Sequence, residues 1–345
     1  MNTPGSPAEG PLVGELGERG LIERIRRRLP APPPDLIVGP GDDAAVVAGE
    51  RGALQILTTD ALVEGIHFDF RFSSPADVGY KALAVNASDV AAMGATPRLA
   101  LLSLMLPGGC AIATVDRLLD GFLELALESR IALAGGNITR SPGPLILDAT
   151  VVGYARPRKV LTRGGGRSGD VLYVSGSVGA AAAGLQWLRA HGGEGDLPMS
   201  AAVSECIARY RRPSPRARLG ALLGRTRAAS ACMDLSDGLA DAVRSIAEAS
   251  GTGARIDASK VPVHPGACEW FNRTGEDAVH AAIQGGDDYE LLFAAAPRRK
   301  GRLRGVSRLL RGLAVTPIGE LTGDTAMVLV RDGEATELPA GFRHF

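Results

Sequence analysis

Apolar residues recur along the chain in two patterns: short runs typical of strands, and helical spacing typical of amphipathic helices. Strand patterns occupy residues 36–38, 44–47, 54–58, 99–106, 131–134, 145–155, 171–175, 254–257 and 289–295. Helical patterns occupy residues 15–28, 75–93, 114–129, 180–190, 201–211, 216–223 and 238–249. Because the two kinds of element alternate, we predict an α/β protein of mixed α+β character.

The length of 345 residues favours two domains over one. Gly, Pro and Ser are frequent at the N-terminus, and we predict a disordered tail at residues 1–14. A mixed-sheet N-terminal domain is then expected at residues 15–155 and a C-terminal α/β domain at residues 156–345, with Arg156-Pro157-Arg158 at the crossing.

Composition excludes some classes of function. Lys+Arg and Asp+Glu are both 38, and aromatic content is 4%, so the chain lacks the basic excess and stacking platforms of nucleic-acid binders. The four cysteines are scattered, which favours reduced thiols. We find no signal peptide, and the most apolar region, residues 85–105, is interrupted by polar residues. These features predict a cytoplasmic protein without a membrane or nucleic-acid partner.

Acidic residues accumulate beside glycines and at the predicted ends of strands. Hard divalent cations prefer such oxygen ligands, and Mg²⁺ is usually held by carboxylates together with substrate phosphates. We therefore predict that these turns converge on a magnesium–nucleotide site. The acidic positions are Asp42, Asp43, Asp60, Asp89, Asp234, Asp237, Asp287 and Asp288.

Each candidate has a structural alternative when it is taken alone. Gly41-Asp42-Asp43 is a common turn sequence. Asp234 and Asp237 precede a predicted helix and could cap it. His67 stands in an apolar run, and Arg163 could be a solvated surface arginine. Asp89 lies in an otherwise apolar predicted helix, where a carboxylate must be paired, hydrogen-bonded or metal-bound, and its structural alternative is a salt bridge within the helix.

The familiar nucleotide-binding and hydrolase motifs are absent from the sequence. It contains no Gly-x-x-x-x-Gly-Lys-Ser/Thr phosphate loop, no protein-kinase set and no Gly-x-Ser-x-Gly elbow. Phosphoryl transfer by this chain would require another architecture.

Several long motifs together resemble the thiamine-monophosphate kinase family, of the aminoimidazole ribonucleotide synthetase and selenophosphate synthetase superfamily. The resemblance rests on Thr58-Thr59-Asp60, on the block from Tyr80 to Gly94, and on Asp234-Leu235-Ser236-Asp237-Gly238. It continues through Gly285-Gly286-Asp287-Asp288-Tyr289-Glu290 and Ile318-Gly319-Glu320. It implies two α/β domains, a homodimer formed through the metal- and ATP-binding N-terminal domain, and ATP-dependent phosphorylation of thiamine monophosphate to thiamine diphosphate.

The resemblance also implies roles for individual residues. Several Mg²⁺ ions would be held by Asp43, Thr58, Thr59, Asp60, Asp89, Asn137, Asp234 and Asp237. ATP would contact Gly136, Asn137, Arg163 and Ser236, and thiamine monophosphate would contact His67, Asp287 and Phe342. No covalent or general-base residue is expected, because the acceptor is already an anionic phosphate.

Two positions depart from the family pattern. Asn137 stands where the family usually has Asp, and Asp287 stands where it often has Glu. Two alternatives stay open at this point. One is an ATPase like selenophosphate synthetase or the hydrogenase-maturation proteins, and the other is a catalytically silent nucleotide-binding protein.

Overall fold

The computed structural model describes residues 12–38, 46–49, 51–192, 199–310 and 312–341. Ten α-helices lie within this part of the chain. They are α1 Val13–Arg26, α2 Pro75–Ala92, α3 Ile112–Ser129, α4 Ala180–His191, α5 Ala201–Arg211, α6 Ala217–Thr226, α7 Leu239–Ser250, α8 Pro265–Thr274, α9 Ala278–Gln284 and α10 Lys300–Leu309. Single 3₁₀ turns occur at Ala258–Lys260 and Pro297–Arg299.

The described residues also form thirteen strands. They are β1 Leu36–Val38, β2 Val46–Val47, β3 Leu54–Val63, β4 Thr96–Pro107, β5 Ala132–Ser141, β6 Ile146–Ala155, β7 Val171–Ser175, β8 Ala231–Asp234, β9 Gly253–Asp257, β10 Leu291–Ala295, β11 Val315–Thr322, β12 Met327–Arg331 and β13 Glu334–Glu337. The predicted mixed α/β class is confirmed.

Two strands extend beyond their predicted ends. Strand β3 continues through Val63, so Thr59 and Asp60 lie in the strand and not at its end. The prediction missed that the apolar Ala61, Leu62 and Val63 prolong the same strand. Strand β5 likewise passes through the glycines that were expected to end it. A Cβ at Gly136 would lie 1.9 Å from the carbonyl oxygen of Leu102, so glycine here allows close strand contact.

The strands build three sheets in the described residues. Strands β1 and β2 pair antiparallel as a small ribbon. A four-stranded sheet has the order β3-β6-β4-β5, in which β4 and β5 are parallel with Leu99 opposite Ala132. A seven-stranded sheet has the order β13-β12-β9-β11-β7-β10-β8, with β10 antiparallel to both β7 and β8.

The chain forms two compact units, and each unit is assembled from three segments. Unit 1 comprises Met1–Glu50, Thr59–Leu83 and Arg98–Val151, and unit 2 comprises Arg51–Thr58, Ala84–Pro97 and Val152–Phe345. The single boundary at residues 155/156 stays a prediction.

In unit 1, helices α2 and α3 cross with their backbones in contact. A Cβ at Gly79 would lie 1.8 Å from the carbonyl oxygen of Leu118, and a Cβ at Gly121 would lie 1.7 Å from that of Ala76. Glycine on both helices therefore sets the close crossing.

The core of unit 2 packs α6 and α10 against strands of the seven-stranded sheet. Leu223 and Phe293 are fully buried in this cluster, and the rings of Tyr173 and Phe293 stack 5.4 Å apart. Ala92, at the end of α2, belongs to the same cluster. In the described residues, no helix combines the length and the apolar character that crossing a bilayer requires.

Candidate active site

Two carboxylates meet in unit 2, where strand β8 ends beside helix α2. Asp234, the last residue of β8, is 4% exposed. Its carboxylate accepts a hydrogen bond of 2.7 Å from the hydroxyl of Ser88, which is fully buried. The next residue of α2, Asp89, accepts a hydrogen bond of 2.5 Å from the hydroxyl of Thr58. Two aspartates and two hydroxyls thus form a compact set of oxygen atoms.

The electrostatics of this set disfavour a bare negative charge. Burial, and after it the charge of Asp89, raises the pKa of Asp234 to about 7. The hydrogen bond from Ser88 and the positive charge of Arg163 act in the opposite direction. The pair therefore favours a proton or a cation near Asp234 at neutral pH.

The structural alternative for Asp234 and Asp237, a helix cap, is wrong. Helix α7 begins at Leu239, and its N-cap residue is Gly238, without a side-chain cap. Asp237 lies in the turn and accepts a weak hydrogen bond of 3.4 Å from the hydroxyl of Ser236. Helix capping therefore does not explain the polar side chains of this turn.

Backbone hydrogen bonds attach this turn to the segment from Gly285 to Glu290. The amide of Asp287 donates to Ser236 O over 2.7 Å, and the amide of Tyr289 donates to Leu235 O over 3.0 Å. Asp287 and Tyr289 both have left-handed backbone angles, with φ of 68° and 49°. Such angles cost energy for non-glycine residues, so the surrounding contacts must hold the segment in place.

The acidic residues of this segment have different surroundings. Asp288 accepts hydrogen bonds from the amides of Gly179 (2.6 Å) and Ala181 (3.2 Å), at the start of α4. Burial nevertheless raises the pKa of Asp288 to about 7. Glu290 is fully buried and accepts hydrogen bonds from Ser175 Oγ (2.5 Å) and Arg216 Nε (2.6 Å). Asp288 and Glu290 therefore have their hydrogen-bond partners within the protein.

Asp287 differs from these two neighbours. Its Oδ1 accepts a hydrogen bond of 3.1 Å from the hydroxyl of Tyr289. Asp287 is half-buried beside the Ser236 turn, and its contact to substrate stays a prediction.

On strand β3, alternate residues face opposite sides of the sheet. Thr59 is exposed and donates a hydrogen bond of 2.8 Å to Asp148 on β6. Asp60, also exposed, faces the same side as Thr58 by this alternation. His67 accepts a hydrogen bond of 3.0 Å at Nδ1 from the amide of Val63, a local structural contact.

Gly136 and Asn137 lie on β5, at the opposite edge of the four-stranded sheet from β3. Asn137 is paired in register with Ser103 of β4. Two strands separate β5 from β3, so Asn137 and Asp60 are about 14 Å apart across the sheet by strand spacing alone. The chain does not bring these two predicted ligands together.

Two predicted site residues, Asp43 and Phe342, lie outside the described residues. Within the described ranges, no group of three or more His, Cys, Asp or Glu side chains is placed to hold a metal ion. The candidate site therefore contains only two such side chains, Asp89 and Asp234, within the described residues, and the hydroxyls of Thr58 and Ser88 contact them.

Sequence reasoning gave no role to two residues that contact the candidate site. Ser88 bonds to Asp234, 146 positions away, which no local pattern could reveal. Asp148 interrupts the apolar strand β6 and pairs with Thr59. Its position in an apolar run was a usable signal.

Two protein-family models, both of AIR synthase related proteins, match this chain. Residues 41–155 match the AIR synthase related protein, N-terminal domain, and residues 167–332 match the AIR synthase related protein, C-terminal domain.

Individual relatives narrow the class further. Thiamine-monophosphate kinase of Escherichia coli (strain K12) is 37% identical over 333 residues, covering 95% of this chain and 98% of that protein. The crystal structure of thiamine-monophosphate kinase from Stenotrophomonas maltophilia K279a superposes with a TM-score of 0.80 and has 36% sequence identity to this chain. The match covers 92% of this chain and 96% of that one. The chain belongs to the thiamine-monophosphate kinase family.

A third relative has ligands bound. This structure, AaThiL complexed with AMPPCP and TMP, has 30% sequence identity to this chain and a TM-score of 0.75. The match covers 98% of this chain and 100% of that one.

Proposed function

We propose that this protein transfers the γ-phosphoryl group of ATP to thiamine monophosphate and so forms thiamine diphosphate. Family membership supports the reaction, and AaThiL binds both an ATP analogue and TMP. The observation that carries the proposal in this chain is the buried Asp234, which accepts a hydrogen bond from Ser88 and whose pKa is raised by burial and by the charge of Asp89.

The donor set of this pair fits Mg²⁺. Two carboxylates and the hydroxyl of Thr58 offer only oxygen atoms, which hard cations prefer. Burial, and after it the charge of Asp89, raises the pKa of Asp234, and a nearby cation would offset both effects. Asp43, Thr59, Asp60, Asn137 and Asp237 remain proposed ligands. Magnesium bound to such ligands supplies charge neutralisation between two polyanions.

The side chains have positioning roles in this proposal. Ser88 and Thr58 each donate a hydrogen bond that fixes the orientation of one carboxylate. Arg163, Gly136 and Ser236 are proposed contacts of ATP. His67, Asp287 and Phe342 are proposed contacts of thiamine monophosphate. The acceptor oxygen is already anionic, so we propose direct in-line transfer without a general base or a phospho-enzyme.

A homodimer is part of the proposal. On β4, Leu102 and Leu104 are buried whereas Leu101, on the alternate face, is 38% exposed. This face of the four-stranded sheet also includes Met105 and the exposed Asn137. A second copy could cover it. The separation of Asn137 from Asp60 within one chain supports a site completed by two copies.

The proposal is tested by incubating the full-length protein with ATP, Mg²⁺ and thiamine monophosphate and measuring thiamine diphosphate. Asp89→Asn and Asp234→Asn should each lower turnover about a hundredfold or more, the scale of losing one charge-stabilising contact. Asp257→Asn is the matched control, because Asp257 lies in unit 2 away from this pair and its capping oxygen is retained.

Three results would contradict the proposal. Near-normal turnover in both variants would show that Asp89 and Asp234 do not belong to the active site. Selenide-dependent ATP cleavage would favour the selenophosphate-synthetase-like alternative. ATP binding without any product would favour a silent nucleotide-binding protein.

A further inference from the structure

Unit 2 contains a strongly basic cavity of about 230 Å³ that the proposed reaction does not use. It lies between the segment that leads into β7, the end of α6, and the 3₁₀ turn before α10. In the part of the chain that the structure describes, six cationic side chains line it: Arg158, Lys159, Arg167, Arg227, Arg298 and Arg299. A neighbouring cavity of about 350 Å³ shares three of them and adds Arg302.

Little negative charge balances this cluster. Among the described residues that line the cavity, Asp170 is the one carboxylate, and it is 5% exposed. Its carboxylate accepts hydrogen bonds from the hydroxyl of Ser230 (2.6 Å) and the amide of Arg167 (3.2 Å). The whole chain has a net charge of +0, so this local excess of cations does not follow from composition.

A structural role explains only part of the cluster. Helix α6 ends here, and its carbonyl groups carry partial negative charge. Lys159 donates to Arg225 O (2.7 Å), Arg302 donates to Arg227 O (3.3 Å), and Arg299 donates to Ala229 O (2.8 Å). These three cations stabilise the end of the helix and the residues that follow it.

The other four guanidinium groups are not explained in this way. Among the residues that the structure describes, the side chains of Arg158, Arg167, Arg227 and Arg298 make no hydrogen bond or ion pair with the protein. Like charges held together around a cavity repel one another, and this cost is offset when an anion binds. Guanidinium groups match phosphate oxygens well, because they donate two parallel hydrogen bonds.

We propose that this cavity binds a small anion carrying at least two phosphate groups. Recognition is through the phosphates, because the lining residues within the described ranges include no aromatic side chain on which a base could stack. Inorganic pyrophosphate and the diphosphate of a nucleotide share this chemistry.

The cavity is separate from the candidate active site. Ser230, which lines it, directly precedes strand β8, and Asp234 ends that strand. Four residues of extended chain span about 13 Å. The loop before β7 adjoins both places, because Arg163 acts on Asp234 whereas Arg167 lines the cavity.

The test is calorimetric titration of the full-length protein with inorganic pyrophosphate at low salt in the presence of EDTA. Chelation removes divalent cations, on which polyphosphate binding by the aspartate pair would depend, whereas arginine side chains need no metal. We expect saturable binding that the double variant Arg167→Glu/Arg298→Glu weakens at least tenfold. Both side chains are exposed, so thermal melting should be unchanged.

Controls separate this site from general electrostatics and from the kinase reaction. Arg304→Glu/Arg308→Glu reverses two exposed charges on α10 outside the cavity and should retain the affinity. Asp89→Asn should also retain it. Titration with ADP identifies the source: equal affinity assigns the site to a nucleotide diphosphate, and weaker affinity assigns it to pyrophosphate.

Three results would overturn this site: no binding of pyrophosphate, equal losses in both charge-reversal variants, or binding of single-stranded RNA that pyrophosphate cannot displace. None of them bears on the proposed kinase reaction, because the titration involves no turnover.

Discussion

Ser88 supports the candidate site through one buried hydrogen bond to Asp234. A buried hydrogen bond to a charged group contributes about 1.5–3 kcal/mol, so its loss should be measurable. We predict that Ser88→Ala raises the Mg²⁺ concentration for half-maximal activity about tenfold or more, the factor that corresponds to about 1.4 kcal/mol. Because Ser88 lowers the pKa of Asp234, its loss raises that pKa further. The defect should therefore shrink as the pH rises.

Activity measured against Mg²⁺ at several pH values checks this prediction. Ser141→Ala is the control, since it removes another buried serine hydroxyl, which bonds to Pro144 O. A defect that is the same at every pH would argue that Ser88 acts only through packing.

Single-residue reasoning from the sequence identified Asp89 because a carboxylate in an apolar helix needs a partner. It could not find that partner, since the contacts of Asp89 and Asp234 come from distant segments. It also treated Asp288 like its neighbour Asp287. Only the folded chain places the Asp288 carboxylate at the start of α4.

The crossing of α2 and α3 gives a prediction at the level of elements. Alanine is favoured over glycine within a helix by about 1 kcal/mol. At Gly121, however, the new Cβ would meet the backbone of Ala76 at 1.7 Å. Because overpacking costs about 1–3 kcal/mol or more, we predict that Gly121→Ala is destabilising.

Gly305→Ala is the matched control on α10, where a new Cβ meets nothing within 4 Å. It should raise the melting temperature slightly, whereas Gly121→Ala should lower it. Equal shifts in thermal melting would refute the steric argument.

Helix α9 offers a prediction that depends on pH. Asp277 caps this helix by accepting a hydrogen bond of 2.8 Å from the amide of His280, and it also pairs with Arg331. The hydrogen bond from Arg331, followed by that from His280, lowers the pKa of Asp277. A lowered carboxyl pKa contributes stability above the unfolded value near 4, and this contribution is lost as the pH falls.

Asp277→Ala should therefore cost about 1 kcal/mol at pH 7, the usual value of a cap. In urea denaturation, the difference from the wild type should diminish toward pH 2. Asp277→Asn keeps a capping oxygen but loses the charge that pairs with Arg331, so its stability at pH 7 should lie between those of the wild type and Asp277→Ala. A difference for Asp277→Ala that does not change with pH would contradict the assigned role.

At the level of elements, the sequence predicted seven of the ten described helices and missed α8, α9 and α10. The 75–93 pattern closely matches α2, because proline, a capping serine and a glycine mark its limits. The end of β3 was misplaced because polar Thr59 and Asp60 resemble a turn although they continue the strand. Strands β8, β11, β12 and β13 were not predicted.

For the whole molecule, the exposed face of the four-stranded sheet predicts self-association. Leu101→Asp should convert a dimer into a monomer, because it introduces a charge into the proposed apolar interface. Light scattering coupled to gel filtration measures the mass. Leu127→Asp, which alters a leucine of α3 that is 74% exposed, should leave the dimer intact. A wild-type monomer at micromolar concentration would contradict the proposed assembly.

Unit 2 is assembled from separate segments of the chain, and this limits where the chain can be truncated. Thr58, Ser88 and Asp89 precede residue 156 in the chain, yet they contact each other or Asp234 within unit 2. A fragment expressed from residue 156 onward would keep Asp234 but lose all three neighbours. It would also lack Ala91, whose backbone lies against Gly220 of α6. Such a truncation would expose the apolar surface against which the end of α2 packs. The two parts of the chain are therefore not expected to fold when they are expressed separately.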